Sequence, residues 1–375
     1  MRISTWVLPL LLGLLVVGCG GGGGGSSAPA TGFVTVLVGD KPIDDLRAVW
    51  LTVREIEFNM TGGKKHVFVG MDEPINLMEL TNLTEALMIN EEIVTGKGTK
   101  IRLLLDDLAI ERKESPEDAE PEMVPVPAGG WIELNPQGPF EVRAGQTIYV
   151  MIDFLLDDSL VHVVETDTDE YRFRPQVFAE IKAEGDESRL VRLKGTARGV
   201  NPNDDTFELC DLRREAGNGS SNNLYDCVII KMDNTVDGED TLLIENGSLL
   251  VENAIVTAFG FMDFDPDPSK DTMNAEVLVA GMVEPIIAES GIATLVPPNL
   301  QIDQSAAGGP AQFDINPTAA GWKNFPGVTE NPETTGEVMV MDDIEAFGFA
   351  IEPATTPPSM EAFLFIYKRP QIPPP

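Results

Sequence analysis

The sequence predicts an all-β protein with more than one unit and only a short helix, and three observations carry that expectation. Apolar side chains alternate at period two along several runs from Phe33 onward, the pattern of strands with one buried face. At 375 residues and 43% hydrophobic content the chain can fill two or three cores, so global disorder is excluded. Two short motifs recur in the same order in the second half, the mark of a duplicated unit.

Residues 1–18 have the layout of an export signal. Arg2 and the amino terminus supply positive charge, and Trp6 to Val17 form an apolar stretch of 12 residues. A stable transmembrane helix needs about 20, so the stretch fits a secretory signal better. It ends in Val16-Val17-Gly18-Cys19, which resembles the lipobox of bacterial lipoproteins. The resemblance implies cleavage before Cys19, a diacylglycerol on its thiol, and acylation of the new amino terminus. The alternative is an ordinary cleaved signal with an incidental cysteine. The six glycines Gly20 to Gly25 and Ser26-Ser27-Ala28-Pro29-Ala30 that follow make residues 19–31 a flexible tether. Gly rather than Asp at position 20 leans, by analogy with Gram-negative sorting, toward the outer membrane. The expected localisation is the bacterial cell envelope, with the membrane reached through the lipid.

Beyond the tether, Phe33 to Val38 reads as a strand. Ala48 to Phe58 is a longer one, with Val49, Leu51 and Val53 on alternating positions, and Asp40-Lys41-Pro42 forms the connection. Ile75 to Leu80 reads as extended. Thr81 to Ile93 reads as a short helix capped by Thr81 or Asn82. Thr99 to Leu105 is a strand, Glu111 to Glu122 a charged, proline-containing loop, and Ile148 to Leu156 and Arg172 to Ile181 complete the region.

The segments Phe33–Asp40, Ala48–Phe58, Pro74 to Asn82, Lys100 to Leu103 and Arg174 to Val177, in this order, resemble the DUF4382 family of bacterial lipoproteins. The likeness covers about residues 32–184 and is strongest at Ile75 to Asn82. It implies a β-sandwich of transthyretin-like or immunoglobulin-like type. The family is functionally uncharacterised, so it brings no catalytic residue.

In the second half, Gly195-Thr196-Ala197-Arg198-Gly199-Val200-Asn201-Pro202-Asn203 aligns with Gly291 to Asn299, 96 residues later. Ala258-Phe259-Gly260-Phe261 recurs 88 residues later as Ala346-Phe347-Gly348-Phe349. Two small β units, 188–284 and 285–369, are therefore expected, followed by an unpacked proline-rich tail, 370–375. Their strand pattern resembles the OB-like barrels of DUF5666.

The formal net charge of −35 excludes nucleic acid as a partner, because no Lys/Arg cluster offsets it. With Cys19 lipidated, Cys210 and Cys227 remain. Each ends or begins a strand-like run, and a Gly/Asn/Ser-rich segment separates them. In an oxidising compartment a disulfide across this hairpin is expected, with two free buried thiols as the alternative.

Asp263, Asp265 and Asp267, with Asp271 beyond, place acids at every second position, as a Ca2+ loop begins. The match then fails: Pro268 stands where the loop needs Gly, and Asn274 where it needs a bidentate Glu. The second copy, Ala350-Ile351-Glu352-Pro353, lacks the acids. A solvated hairpin tip is the competing reading. Asp106-Asp107, Asp157-Asp158 and Asp204-Asp205 could supply a carboxylate pair to a polysaccharide hydrolase, but adjacent acids are also common turn residues. His66 and His162 lie in no metal-spacing motif. No nucleophile elbow, phosphate loop or dinucleotide fingerprint occurs, so no catalytic residue is assigned and no cofactor other than Ca2+ is expected. Trp131 and Trp322, in Gly/Pro-rich surroundings, are candidates for stacking on sugars; Trp50 reads as core. The expectation is a lipid-anchored envelope protein that binds a glycan or an envelope protein, or that has a structural role. The alternatives are a carboxylate-dependent envelope hydrolase and a calcium-stabilised adhesion module.

Overall fold

The computed structural model describes residues 30–368 apart from 42, 44, 64, 70–73, 114, 117–118, 128, 135, 137, 166–167, 183–189, 202–204, 211–226, 233–240, 264–270, 283, 285, 296–299, 306–309, 311, 319–322, 327–339, 341 and 352–356. The described residues are mostly strand, as the period-two pattern predicts.

The first thirteen strands are β1 (Thr31–Lys41), β2 (Leu46–Met60), β3 (Lys65–Val69), β4 (Ile75–Asn76), β5 (Leu83–Val94), β6 (Gly96–Arg112), β7 (Glu122–Met123), β8 (Trp131–Leu134), β9 (Phe140–Val142), β10 (Thr147–Leu155), β11 (Leu160–Glu165), β12 (Thr168–Phe173) and β13 (Val177–Lys182). They make a sandwich. One sheet runs β13-β10-β1-β5; the other has β2 and β6 at its centre, with β3 and β4 on β2 and β7, β8 and β9 in succession along β6. Val34, Val36 and Val38 of β1 face Val49, Leu51, Val53, Ile56 and Phe58 of β2 and Ile101, Leu103 and Leu105 of β6 across one apolar core. Strands β11 and β12 form a separate hairpin.

The expected helix over Thr81–Ile93 is not there. A short 3-10 turn, Leu77–Leu80, precedes it, and Leu83–Val94 is β5. The run is rich in helix formers, but it lies between β1 on one side and the second unit on the other, and nearly every side chain in it is buried. Burial on both faces favours a central strand and overrides intrinsic propensity. Asn90, at φ 52°, interrupts the regular strand beside a register shift against β1. Among the described residues the one α-helix is a single turn, Leu156–Ser159.

The second unit contains β14 (Leu190–Arg198), β15 (Thr206–Cys210), β16 (Cys227–Met232), β17 (Leu242–Glu245), β18 (Ile255–Asp263) and β19 (Thr272–Ala280). Its pairings close a ring: β14 to β15, β15 to β16, β16 to β19 in parallel, β19 to β18, and β18 back to β14. This is the strand order of a five-stranded OB barrel. The third unit is β20 (Ile287–Leu295), β21 (Leu300–Asp303), β22 (Phe313–Pro317), β23 (Lys323–Pro326), β24 (Asp343–Ala350) and β25 (Ser359–Lys368). It repeats the ring pair for pair, and β23 pairs with β25 as β17 pairs with β19. The recurring Ala-Phe-Gly-Phe motif explains part of that identity. In both copies the register shifts between its Phe and Gly, and a Cβ on either glycine would collide with a carbonyl oxygen of the neighbouring strand, that of Asn274 or Glu361.

The three units adjoin one another. β14 pairs in parallel with β5 through Leu190–Arg192, so the first sheet of the sandwich runs on into the first barrel. Leu37, Tyr149 and Met151, on the outer face of that sheet, share an apolar cluster with the barrel interior. The two barrels meet through equivalent outer faces: Phe259 packs on Phe347 at 5.8 Å and on Phe363 at 5.9 Å.

Candidate functional site

The barrel unit covers the first sheet's outer face. On the second sheet, the central part of the outer face carries a connected polar network. Strand alternation builds it. Ile56 and Phe58, Ile101 and Leu103, and Ile132 and Leu134 point into the core, which turns Glu57 and Asn59, Lys100 and Arg102, and Trp131 and Glu133 outward. Register then sets them in rows: Glu57 stands opposite Arg102, and Arg102 opposite Glu133. Gly130 brings β8 in at the right height. Its φ is 69°, its carbonyl accepts from Leu105 N at 2.9 Å, and a Cβ there would strike Leu105 O.

Glu57 is the hub. It is 5% exposed and accepts from Asn59 Nδ2 (2.9 Å), Lys65 Nζ (3.1 Å) and Arg102 (3.1 Å). Burial pushes its carboxyl up, but these three donors outweigh that and hold it below its ordinary range. Glu133 accepts from Lys100 Nζ at 2.6 Å, which lowers its carboxyl, and lies 3.7 Å from Arg102 Nε. The Arg102 guanidinium stacks 4.3 Å from the centroid of the half-buried Trp131 ring. Farther along the face, Trp50 is half-buried and donates Nε1–H to Glu111 Oε1 at 3.0 Å. This corrects the expectation that Trp50 belongs to the core: it has outward parity on β2, opposite Ala109.

A second polar cluster pins the β11–β12 hairpin to the end of β6. Asp169 Oδ1 lies 2.6 Å from His162 Nε2 and 2.8 Å from Arg112 NH1, while Arg112 also pairs with Glu122 at 2.9 Å. The Arg112 and His162 contacts hold the Asp169 carboxyl below its ordinary range. Tyr171 stacks on His162 at 4.5 Å and faces Arg112 at 5.0 Å. Each charged group in it has an ionic partner within the cluster, an arrangement suited to clasping the hairpin.

A third cluster lies buried between the units. Arg192 of β14 donates to Glu79 Oε2 at 2.6 Å and Glu85 Oε2 at 2.9 Å. Burial disfavours its charge, but Glu85 and Glu79 raise its pKa well above the ordinary arginine value. Asn76 Nδ2 donates to Glu79, and Asn76 Oδ1 accepts from Val49 N and Met78 N. Asn82 Nδ2 reaches Glu345 Oε2 of the second barrel at 2.9 Å. The segment Ile75 to Asn82 therefore docks both barrels. Sequence reasoning singled it out but saw no role, because its partners Arg192 and Glu345 lie 113 and 263 residues away.

Cys210 and Cys227 stand opposite each other on β15 and β16 and form a disulfide. Glu208 lies beside them, but bonded sulfurs provide no thiolate for a metal. Cys19, Asp265, Asp267, Asp204 and Trp322 lie outside the described residues. Asp263 is exposed at the end of β18. Asp271 is 1% exposed and accepts from Asn90 Nδ2 at 3.0 Å, within a buried group that includes Thr35. Asp263 and Asp271 enter no common metal-like cluster among the described residues. Asp106 and Asp107 are exposed on β6, with Asp106 3.7 Å from Arg54; Asp157 and Asp158 are exposed in the helical turn. His66 pairs across strands with Phe58, far in sequence from His162.

No curated protein and no solved structure matches the chain. Residues 31–175, which hold the sandwich as far as the hairpin β11–β12, match the family model DUF4382, a domain of unknown function.

Proposed function

We propose that this chain is a lipid-anchored protein of the bacterial cell envelope, held at the outer membrane through Cys19, and that it works by binding. The observation that carries the binding reading is the division of labour between the two sheets. One sheet supports the barrels; the other offers an outer face with an indole, a guanidinium, two ammonium groups and two carboxylates in one connected array. Rigid strands hold these groups, which suits recognition of a partner. The signal-like segment, Cys19 and the glycine tether support the anchor. Several acyl chains, at about 0.8 kcal/mol per buried CH2, hold a protein on a membrane stably. The barrel pair then serves as a rigid support; its strand order agrees with the likeness to DUF5666.

Radiolabelled palmitate given to cells expressing the chain should appear on it and vanish with Cys19→Ala; undiminished label on the variant would end the anchor reading. Affinity capture from the native envelope should retain a partner that Trp131→Ala releases. Capture of nothing, or of the same material by both proteins, would end the binding reading for this face.

A further inference from the structure

We infer that the Trp131 face binds an acidic polysaccharide, a reading that rests on the binding role above. Charge comes first. On a chain of net charge −35, one ion-pair network on this face runs against the trend. Lys65, Lys100 and Arg102 meet Glu57 and Glu133 in one network, three cations to two carboxylates. The two other networks described above have no such excess. Arg192 faces two glutamates, and Arg112 with His162 faces Glu122 and Asp169. The protein as a whole repels an anion, so a network with one cation in excess marks where on this face an anion fits.

Shape and chemistry then narrow the anion. The described side chains of this network are charged or polar around one indole, which suits a polar, ring-bearing ligand better than an apolar protein side chain. The indole is half-buried, and its ring rests on Arg102 and so is held rigid. A sugar ring offers an apolar C–H face to such an indole and hydroxyls at its edge. Glu133, about half exposed, accepts from hydroxyls, as does the Asn59 amide. Lys65, about half exposed, and Lys100 supply ammonium donors to ring carboxylates by charge-assisted hydrogen bonds. Strands β2, β6 and β8 lie side by side across the face, so successive sugar units can follow the row Glu57–Arg102–Glu133. A chain of uronic-acid residues satisfies the ring and the charge together.

The test uses the full-length protein in detergent and three probes: polygalacturonate, neutral dextran and poly-glutamate. Titration calorimetry should show binding to polygalacturonate that weakens as salt rises. Binding should fall about tenfold or more in Trp131→Ala, and by a similar factor in the double variant Lys65→Gln/Lys100→Gln, a factor of ten being about 1.4 kcal/mol. Trp131→Phe should retain most of it. Dextran should bind far more weakly, and poly-glutamate should not compete. If Trp131→Ala loses the wild-type circular dichroism spectrum, the lysine pair decides alone. No binding of polygalacturonate, equal binding of poly-glutamate, or insensitivity to both variants would overturn the proposal. Envelope capture separates the two readings. A Trp131-dependent partner that is not a polysaccharide leaves the binding role standing and ends this one. No partner and no polygalacturonate binding ends both.

Discussion

Arg192→Met tests whether sandwich and barrels fold as one body. Met keeps much of the length of the side chain and removes the guanidinium. Glu85, 1% exposed, then loses its cation while remaining enclosed. Glu79 still accepts from Asn76 and is partly exposed, so its loss is smaller. Removing one partner of a buried ion pair costs about 3–5 kcal/mol, because the other charge stays desolvated. With Glu79 partly rescued, the lower end applies: about 3 kcal/mol, a large share of the roughly 5–15 kcal/mol that a domain commands. Adding Glu85→Gln should recover part of this, since the stranded carboxylate becomes a neutral amide. Urea unfolding of wild type, single and double variants, followed by tryptophan fluorescence and far-ultraviolet dichroism, supplies the measurement. If the ion pair is what couples the sandwich to the first barrel beside the three β5–β14 residue pairs and the shared apolar cluster, the single variant should also split one transition into two. A single variant within about 1 kcal/mol of wild type, or a double variant no better than the single, would refute the reasoning.

Replacing both Cys210 and Cys227 with Ser should lower stability by about 3 kcal/mol, the chain-entropy value for a loop closed across a separation of 17 residues; a midpoint in urea unchanged from the oxidised wild type would contradict this. Glu57→Gln should change the acid limb of stability. The folded-state pKa of Glu57 is depressed, so its contribution is present above the ordinary value of 4.5 and fades as pH falls through the lower folded value. The variant should therefore be less stable than wild type at neutral pH and converge on it as pH falls below 4.5 and through the lower folded value; a gap that stays constant down to pH 2 would show that Glu57 contributes no linked proton.

Most of the strands were legible because burial on one face writes itself as period two. Ala48–Phe58 is the central part of β2, and Thr99–Leu105 lies within β6. The failure at Leu83–Val94 has the opposite cause. A strand buried on both faces carries no alternation, and Glu85, Ala86, Leu87 and Met88 read locally as helix. Trp50 was misplaced for a related reason: parity within a run cannot say which side faces the core until β6 is known to pair with it. The network around Glu57 was invisible for want of register. Glu57, Arg102 and Glu133 come from three strands, and only their pairing makes a row of them. Trp131 could be singled out because Gly129-Gly130 before it signals a break, and the break is what brings it in beside Leu104 at the middle of β6.

The duplication also explains why only one barrel carries a disulfide. Register equates Leu209–Val228 in the first copy with Ile302–Phe313 in the second, since Ala197 pairs with Leu209 as Ala293 pairs with Ile302. Cys210 and Cys227 then correspond to Asp303 and Gln312, the ends of a much shorter connection. Closing a longer loop costs more entropy, so the first copy gains more from a covalent tie than the second would. The same freedom to diverge shows where the barrels touch. Phe259 and Phe347 occupy equivalent positions and meet each other, as side chains do on the axis of a two-fold dimer. Around them the symmetry is broken: Phe363 of the second copy corresponds to Glu276 of the first, and Glu276 faces Lys323 at 3.8 Å instead. A homodimer must present one surface to itself and cannot mutate its halves separately. Two copies on one chain can, and here one half became aromatic while the other became charged. The pair is thereby fixed in one arrangement, and that fixed arrangement holds Glu345 where Asn82 of the sandwich can reach it.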